Sequence, residues 1–239
     1  MAAANAPQMY ALLIGVDHYL PNTLPGGVSY APLGGCVEDV GRVEEFLRTK
    51  LNVPEANIQK LTATSSPDGR NIVEPFAAWP TYDNMVAAFQ RLSDNATAGD
   101  EIYIHYSGHG GRANTIYANL KGANALDEGL VPTDIGNSEA RYLRDLEIAH
   151  ILKGMVDKGL VVTAVFDSCH SGGMSLEAEA RTPPMEMTLV QRIVAQMTSL
   201  IPCGMLLSPT DRVVCEGNVK NVHLDHDRID LDPGPNFTT

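Results

Sequence analysis

The sequence predicts an α/β fold built on a mostly parallel β-sheet with helices on its two faces. Between about residue 9 and residue 166, short apolar runs alternate with segments whose apolar residues recur at helical spacing. This alternation is typical of parallel sheets, because each pair of parallel strands needs a crossover connection, usually a helix. Hydrophobic residues make up 44% of the 239-residue chain, which is enough to build a sizeable core around such a sheet.

The N-terminal quarter of the chain predicts a strand, a loop, a helix and a second strand. Residues 9–16 form a compact apolar run that predicts a buried strand, and residues 21–35 are rich in Pro and Gly, which favours a loop. Apolar residues at helical spacing, with acidic residues between them, predict an amphipathic helix over residues 37–51. Residues 58–61 then predict a short second strand.

The middle of the chain repeats this pattern. Thr81 is a suitable N-cap for a second helix, whose first turn contains Asp83. Residues 101–106 predict a third strand, and residues 143–156 predict another amphipathic helix. Residues 160–166 are apolar apart from one threonine, as expected of a central strand that is covered on both faces.

The charge balance argues against several classes of function. The chain has 17 Lys and Arg against 29 Asp and Glu, a formal net charge of −12, which disfavours binding to nucleic acids or anionic membranes and suits a positively charged substrate. No apolar run reaches the roughly 20 residues of a membrane span, and no basic residue precedes the first apolar stretch. We therefore expect a cytoplasmic protein. The four cysteines form no CxxC pair, and no zinc site is expected.

Two of the predicted strands end in loops that combine a reactive side chain with glycines. His109 follows the third strand between Gly108 and two further glycines, and Cys169 follows the last strand. Ligands of an open parallel sheet bind at the carboxyl ends of its strands, so neighbouring strands would bring His109 and Cys169 into one crevice. An imidazole activates a thiol by accepting its proton, and amide N–H groups beside glycines can stabilise an oxyanion. The pattern predicts cysteine-dependent acyl transfer.

The two loops belong to longer motifs, YIHYSGHGG at residues 103–111 and VFDSCHSGG at residues 165–173. These motifs resemble those of the caspase-like cysteine peptidases, and more narrowly those of the metacaspases and orthocaspases of peptidase family C14. Further segments match the family in the same order, at residues 10–16, 35–40 and 126–134. The resemblance implies a caspase-like (caspase-hemoglobinase) fold, which is a three-layer αβα sandwich with a mostly parallel central sheet.

The resemblance also implies a catalytic mechanism. The protein would be a cysteine endopeptidase in which Cys169 is the nucleophile and His109 is the general base and acid. The backbone amides of Gly110 and Cys169 would donate hydrogen bonds to the oxyanion.

Metacaspases cleave after Arg or Lys, so the resemblance implies a basic P1 residue in the substrate. The acidic residues of the family's S1 pocket match Asp39 and Asp167, and Cys36 matches another residue that lines this pocket. Two carboxylates favour a guanidinium or ammonium group and disfavour an Asp side chain. The enzyme would also be capable of autoprocessing, in the basic region around Arg181 or at Arg192.

Many metacaspases are activated by calcium held by four aspartates, and the resemblance matches only half of that site. Asp127 and Asp145 match the first two positions. The other two positions hold Leu146 and Leu176, with Glu177 beside the latter. Calcium takes six to eight oxygen ligands, so half a site would bind it weakly. We therefore expect no required cofactor, with the two aspartates forming either a weak calcium site or ordinary surface carboxylates.

The end of the chain does not match the small-subunit portion that completes the substrate cleft in this family. We expect residues 1–175 to form the catalytic, large-subunit-like domain, and residues 176–239 to form a linker and an atypical or truncated small-subunit-like tail. Such a chain would act as a monomer on protein or peptide substrates, or together with a separate small-subunit partner chain.

Three other interpretations stay open. A legumain-like relative would have another P1 preference and no need of two acidic pocket residues. A catalytically incomplete caspase-like pseudoenzyme, interaction module or fragment agrees with the unfamiliar tail but not with an intact His–Cys pair. A dinucleotide-binding, Rossmann-like domain would use the glycines of residues 108–111, which do not form the GxGxxG pattern.

Overall fold

The computed structural model describes residues 6–168, which form two β-sheets and the helices that pack on them. In chain order the strands and helices are β1 (Met9–Val16), α1 (Cys36–Lys50), β2 (Ile58–Ala63), α2 (Tyr82–Asn95), β3 (Glu101–Ser107), β4 (Gly110–Asn114), α3 (Ala118–Lys121), β5 (Leu126–Leu130), β6 (Leu143–Arg144), α4 (Asp145–Asp157) and β7 (Val161–Asp167). Cys169 and the predicted tail at residues 176–239 lie outside the described residues.

The larger sheet has four parallel strands in the order β2–β1–β3–β7. The connections that leave β1 and β3 go to opposite sides, which leaves a crevice at the carboxyl ends of these two strands. β3 and β7 are neighbours, with Ser107 opposite Asp167. The parallel sheet confirms the predicted α/β class. The strands that precede His109 and Cys169 are adjacent, which is the condition for bringing these residues into one crevice.

Helices cover both faces of this sheet and give the three layers expected of the fold. α1 packs on one face through Val40, Val43 and Leu47. α2 and α4 pack on the other face in a larger cluster that includes Phe89 and Leu152. Each such fully buried side chain contributes about 1.5–3 kcal/mol of transfer free energy. None of the described helices has both the length and the apolar character needed to cross a bilayer.

The start of α1 is held against the end of β1. Asp17 directly follows β1, and its Oδ1 accepts a 2.9 Å hydrogen bond from the N–H of Cys36, the first residue of α1. Gly15 lies so close to the helix that a Cβ on it would stand 3.0 Å from the carbonyl oxygen of Cys36. The first turn of α1 therefore has a defined position at the carboxyl edge of the sheet.

A second sheet of three antiparallel strands, in the order β4–β5–β6, follows β3. The sequence-based prediction contains none of these three strands. Its helix start at residue 143 is also wrong. Leu143 and Arg144 pair with β5, and α4 begins at Asp145. The N–H of Arg144 donates a 2.8 Å hydrogen bond to Glu147 Oε2, which caps the first turn of α4.

Candidate active site

The carboxyl edge of the larger sheet gathers most of the predicted site residues. His109 follows β3, Cys36 begins α1 beside the end of β1, and Asp167 ends β7. Asp39 lies in the first turn of α1. Cys169, the predicted nucleophile and second oxyanion donor, lies outside the described residues.

His109 is held by aromatic side chains and by hydrogen bonds to its backbone. Its ring packs against those of Tyr19 and Tyr30, with centroid separations of 5.0 Å and 5.3 Å. The hydroxyl of Tyr19 accepts a 2.8 Å hydrogen bond from the His109 N–H, and the hydroxyl of Tyr106 donates a 2.7 Å hydrogen bond to the His109 carbonyl. Both the ring and the backbone of His109 are thus fixed in position.

The contacts of the His109 ring determine which nitrogen can accept a proton. Nε2 lies 2.9 Å from the carbonyl oxygen of Ala31. Because a carbonyl only accepts hydrogen bonds, Nε2 carries the proton of the neutral ring and the lone pair is on Nδ1. Burial lowers the pKa of His109 below its usual 6.5, although the hydrogen bond to Ala31 partly opposes this shift. The imidazole is therefore mostly neutral at pH 7, as a general base must be.

Gly110 directly follows His109 and begins β4. Just outside the β4–β5 ladder, the Val131 N–H donates a 3.2 Å hydrogen bond to the His109 carbonyl, whereas the His109 N–H donates to Tyr19. The next pair, Gly110 and Leu130, is then a non-hydrogen-bonded pair, in which the N–H groups point away from the partner strand. The N–H of Gly110 is directed away from β5 for this reason.

Cys36 lies among charged groups at the first turn of α1. Burial, together with the negative charges of Asp17 and Asp167, raises the pKa of the Cys36 thiol to about 12, whereas a hydrogen bond with Ser107 acts in the opposite direction. The thiol stays protonated at neutral pH. Such a group suits the wall of a pocket rather than a nucleophile.

Asp39 belongs to the same group of carboxylates and is half-buried. Burial raises the pKa of Asp39, and the negative charge of Asp167 raises it further, while Arg42 lowers it. Asp39 Oδ1 lies 3.3 Å from Arg42 Nη1, between side chains that are 40% and 50% exposed. Two carboxylates that repel each other favour a cation between them. Asp167 is thus near enough to Asp39 and to Cys36 to act on both through its charge.

Asp127 and Asp145 lie in another part of the molecule, where β5 and α4 begin. The alternative that they are ordinary surface carboxylates, rather than a weak calcium site, is wrong, because they are only 1% and 7% exposed. Lys121 and Arg144 form ion pairs with them. Within residues 6–168, no group of three or more His, Cys, Asp or Glu side chains is placed to hold a metal ion.

Sequence reasoning misses several residues of these two regions. Asp17 and Tyr19 follow the end of β1. Polar residues at the carboxyl ends of parallel strands lie at one edge of the sheet, and this rule predicts both residues when it is applied to β1. Tyr30 lies in the Pro- and Gly-rich loop, and Lys121 lies in a four-residue helix. Neither has a sequence signal, because Tyr30 meets His109 and Lys121 meets Asp145 only when distant parts of the chain pack together.

We expect Gly108→Ala to destabilise the protein. A Cβ at Gly108 would lie 2.6 Å from the hydroxyl of Tyr106 and 3.0 Å from that of Tyr19. Both hydroxyls hydrogen-bond to His109, so a methyl group here forces the two rings to move and breaks these contacts. The free energy of unfolding should fall by about 1–3 kcal/mol, measured by chemical denaturation.

The matched control is Gly154→Ala in α4, where no atom beyond the adjoining residues and backbone of the same helix lies within 4 Å of the new Cβ. Because glycine is a poor helix former, this variant should be as stable as the wild type or more stable by up to about 1 kcal/mol. Equal stabilities of the two variants would show that the packing at Gly108 is not restrictive.

Comparison with known proteins relates the chain to one family. Residues 10–177 match the family model described as "Metacaspase, peptidase C14 domain". Metacaspase-1 of Mycosarcoma maydis is 35% identical over 162 residues, which cover 68% of this chain and 35% of that protein. Metacaspase-6 of Arabidopsis thaliana is 34% identical over 169 residues, which cover 71% of this chain and 39% of that protein. The chain thus spans well under half the length of these relatives.

A crystal structure of a protein from Geobacter sulfurreducens also aligns with the chain. The TM-score is 0.47 at 22% sequence identity, and the alignment covers 70% of this chain and 52% of the other.

Proposed function

The chain belongs to the metacaspase family of C14 peptidases, and on this premise we propose that it is a cysteine endopeptidase that cleaves peptide bonds after Arg or Lys. Cys169 is the nucleophile and His109 is the general base and acid. The substrates are proteins or peptides with a basic P1 residue, which the S1 pocket recognises through Asp39 and Asp167.

The register of β3 and β7 is the observation that carries this proposal. Ser107 stands opposite Asp167, and the Gly108 N–H donates a 3.2 Å hydrogen bond to the Asp167 carbonyl. The backbones of β3 and β7 are therefore still adjacent where the two strands end. His109 and Cys169 each follow this pair by two residues in their own segment. A neutral imidazole on one strand end, beside a strand end that leads to a cysteine, supports a nucleophile–base pair.

In the proposed reaction, Nδ1 of His109 takes the thiol proton of Cys169 as the sulfur attacks the carbonyl carbon of the scissile peptide. The carbonyl oxygen becomes an oxyanion, which the N–H groups of Gly110 and Cys169 stabilise. When this intermediate collapses, the C–N bond breaks and His109 gives its proton to the departing amine. A water molecule, deprotonated by the same imidazole, then attacks the thioester and releases the acid product and the free thiol.

Ala31, Tyr19 and Tyr30 are positioning residues in this reaction. The Ala31 carbonyl holds the Nε2–H group, which leaves the lone pair of Nδ1 available for the thiol proton. When His109 becomes an imidazolium, the same hydrogen bond becomes charge-assisted and stabilises the cation. The two tyrosine rings pack against the imidazole and restrict its tilt.

The proposed preference for Arg or Lys follows from the charges at the first turn of α1. Burial and then the charge of Asp167 raise the pKa of Asp39, and a P1 guanidinium or ammonium group that enters beside the two carboxylates reduces their repulsion. An acidic P1 side chain would increase that repulsion. The buried, protonated thiol of Cys36 provides a neutral wall for the alkyl part of the P1 side chain.

Peptide hydrolysis tests this function directly. The purified chain is incubated with matched fluorogenic peptides that end in Arg, Lys, Asp or Asn, each with calcium or with a chelator. We expect hydrolysis of the Arg and Lys peptides and its loss in Cys169→Ala. Cys203→Ala, which removes a cysteine without an assigned role, is the matched control and should retain activity.

A folded sample that hydrolyses none of the four peptides would contradict the proposal. It would favour an incomplete caspase-like unit that needs a partner chain, and the specific observation for this second candidate is the partial coverage of the relatives. Hydrolysis after Asp or Asn alone would support a peptidase but contradict the acidic S1 pocket.

The proposed enzyme is also capable of autoprocessing, because Arg181 and Arg192 follow the catalytic segment and provide basic P1 residues within the same chain. Fragments that end at either arginine in the wild type, and their absence in Cys169→Ala, are the expected result of intact-mass analysis of the same samples.

A further inference from the structure

The ammonium group of Lys121 lies at the centre of an oxygen cage that joins three elements. Its Nζ lies 3.0 Å from Asp127 Oδ1 in β5, 2.5 Å from Asp145 Oδ2 in α4 and 3.1 Å from the carbonyl oxygen of Leu126. An ammonium group has three N–H donors, and these three oxygens can use all of them. The Lys121 side chain is only 11% exposed, so the cation belongs to the interior.

Arg144 completes the charge balance of this cage. Its Nη1 lies 2.6 Å from Asp127 Oδ2 and 3.1 Å from the carbonyl oxygen of Asn114. The two carboxylates therefore face two cations, and the four side chains are neutral as a group. Buried carboxylates are stable only when they are paired in this way.

These residues do not fit a divalent cation. A calcium ion between Asp127 and Asp145 would have to displace the ammonium of Lys121. The two carboxylates, Arg144 and the ion would then carry charges of −2, +1 and +2, so the neutral group would become positively charged. The ion would also need six to eight oxygen ligands, whereas the family positions that supply the other two aspartates hold Leu146 and Leu176 here.

We infer that Lys121 is a built-in cation that replaces the activating metal ion of related proteins at this place. It holds the start of β5 to the start of α4 permanently, and calcium neither binds between Asp127 and Asp145 nor is needed to join them. β5 is the partner of β4, which begins at Gly110 next to His109. The cage therefore stabilises the strand pair beside the candidate active site.

Thermal unfolding of the full chain tests this inference without any use of peptidase activity. The wild-type Tm should be the same in a chelator and in calcium at up to millimolar concentration. Lys121→Met should lower the Tm by roughly 10 °C, because it leaves two buried carboxylates with one cation. Lys153→Met is the matched control, since Lys153 pairs with Asp157 on the surface of α4 at 2.5 Å, and its Tm should change by no more than about 2 °C.

Two results would overturn the inference. One is a calcium-induced rise of several degrees in the wild-type Tm that is lost in Asp127→Asn, since this would place the ion at the carboxylate pair. The other is a Tm of Lys121→Met that equals that of Lys153→Met. The calcium titration of the wild type decides the first point even if Lys121→Met does not fold. In that case Lys121→Arg, which keeps the positive charge, is used in place of Lys121→Met.

Discussion

Replacing His109 with Ala is expected to lower kcat/KM for an Arg-ended peptide by about 10³- to 10⁴-fold. Without the imidazole, nothing positioned at the end of β3 accepts the thiol proton or returns it to the leaving amine. The double variant His109→Ala/Cys169→Ala should lose little more than Cys169→Ala alone, because a nucleophile and its base act as a unit. Steady-state kinetics of the three variants and the wild type measure both effects.

The control for this prediction is His150→Ala, which removes an exposed imidazole from α4 and should leave kcat/KM within about twofold of the wild type. The pH profile adds a readout that a structural role would not move. Since burial lowers the pKa of His109 below 6.5, wild-type kcat/KM should still exceed half its maximum at pH 6.5 and fall only at lower pH. A His109→Ala variant that keeps more than about a tenth of wild-type activity would exclude His109 as the base.

The sheet and its helices could be predicted because their signals are local. The apolar run of β1 coincides with the strand that the sequence predicts, and Thr81 caps α2 through a 3.1 Å hydrogen bond from Asn84 N–H to its Oγ1. The small antiparallel sheet could not be predicted in this way. Its strands have two to five residues, too few for a periodic pattern, and their composition includes the glycines of β4.

The site residues differ in the same way: some have a signal in the sequence, and others are brought to the site only by packing. His109 is marked by a glycine-rich strand end, and Asp39 by the family resemblance. By contrast, Tyr19 and Tyr30 reach His109 across 90 and 79 positions of the chain, and Lys121 reaches Asp145 across 24. Such contacts depend on how the elements pack, and no spacing rule in one sequence reports them.

Asp39→Asn is expected to lower kcat/KM for Arg and Lys peptides by about tenfold, mainly through a higher KM. The carboxylate is half-buried, and the charge of Asp167 acts on it. A P1 cation would therefore be attracted by both carboxylates. A hydrogen bond between charged groups contributes about 1.5–3 kcal/mol when it is shielded from water, and the 40% exposure of Asp39 reduces that value. The chemical step should change little, since the amide keeps the size of the pocket.

Glu38→Gln separates a pocket effect from a general effect of charge. Glu38 precedes Asp39 in α1, contacts the same Arg42 at 2.5 Å and is 67% exposed, so both variants remove one negative charge and one contact to this arginine. If Asp39 binds the P1 residue, Glu38→Gln should keep kcat/KM within about twofold of the wild type, because an exposed ion pair contributes little. If the net charge of −12 alone attracts basic peptides, the two variants should lose activity equally and the loss should disappear at high salt. A tenfold difference that persists at high salt would therefore place the P1 cation at Asp39 itself.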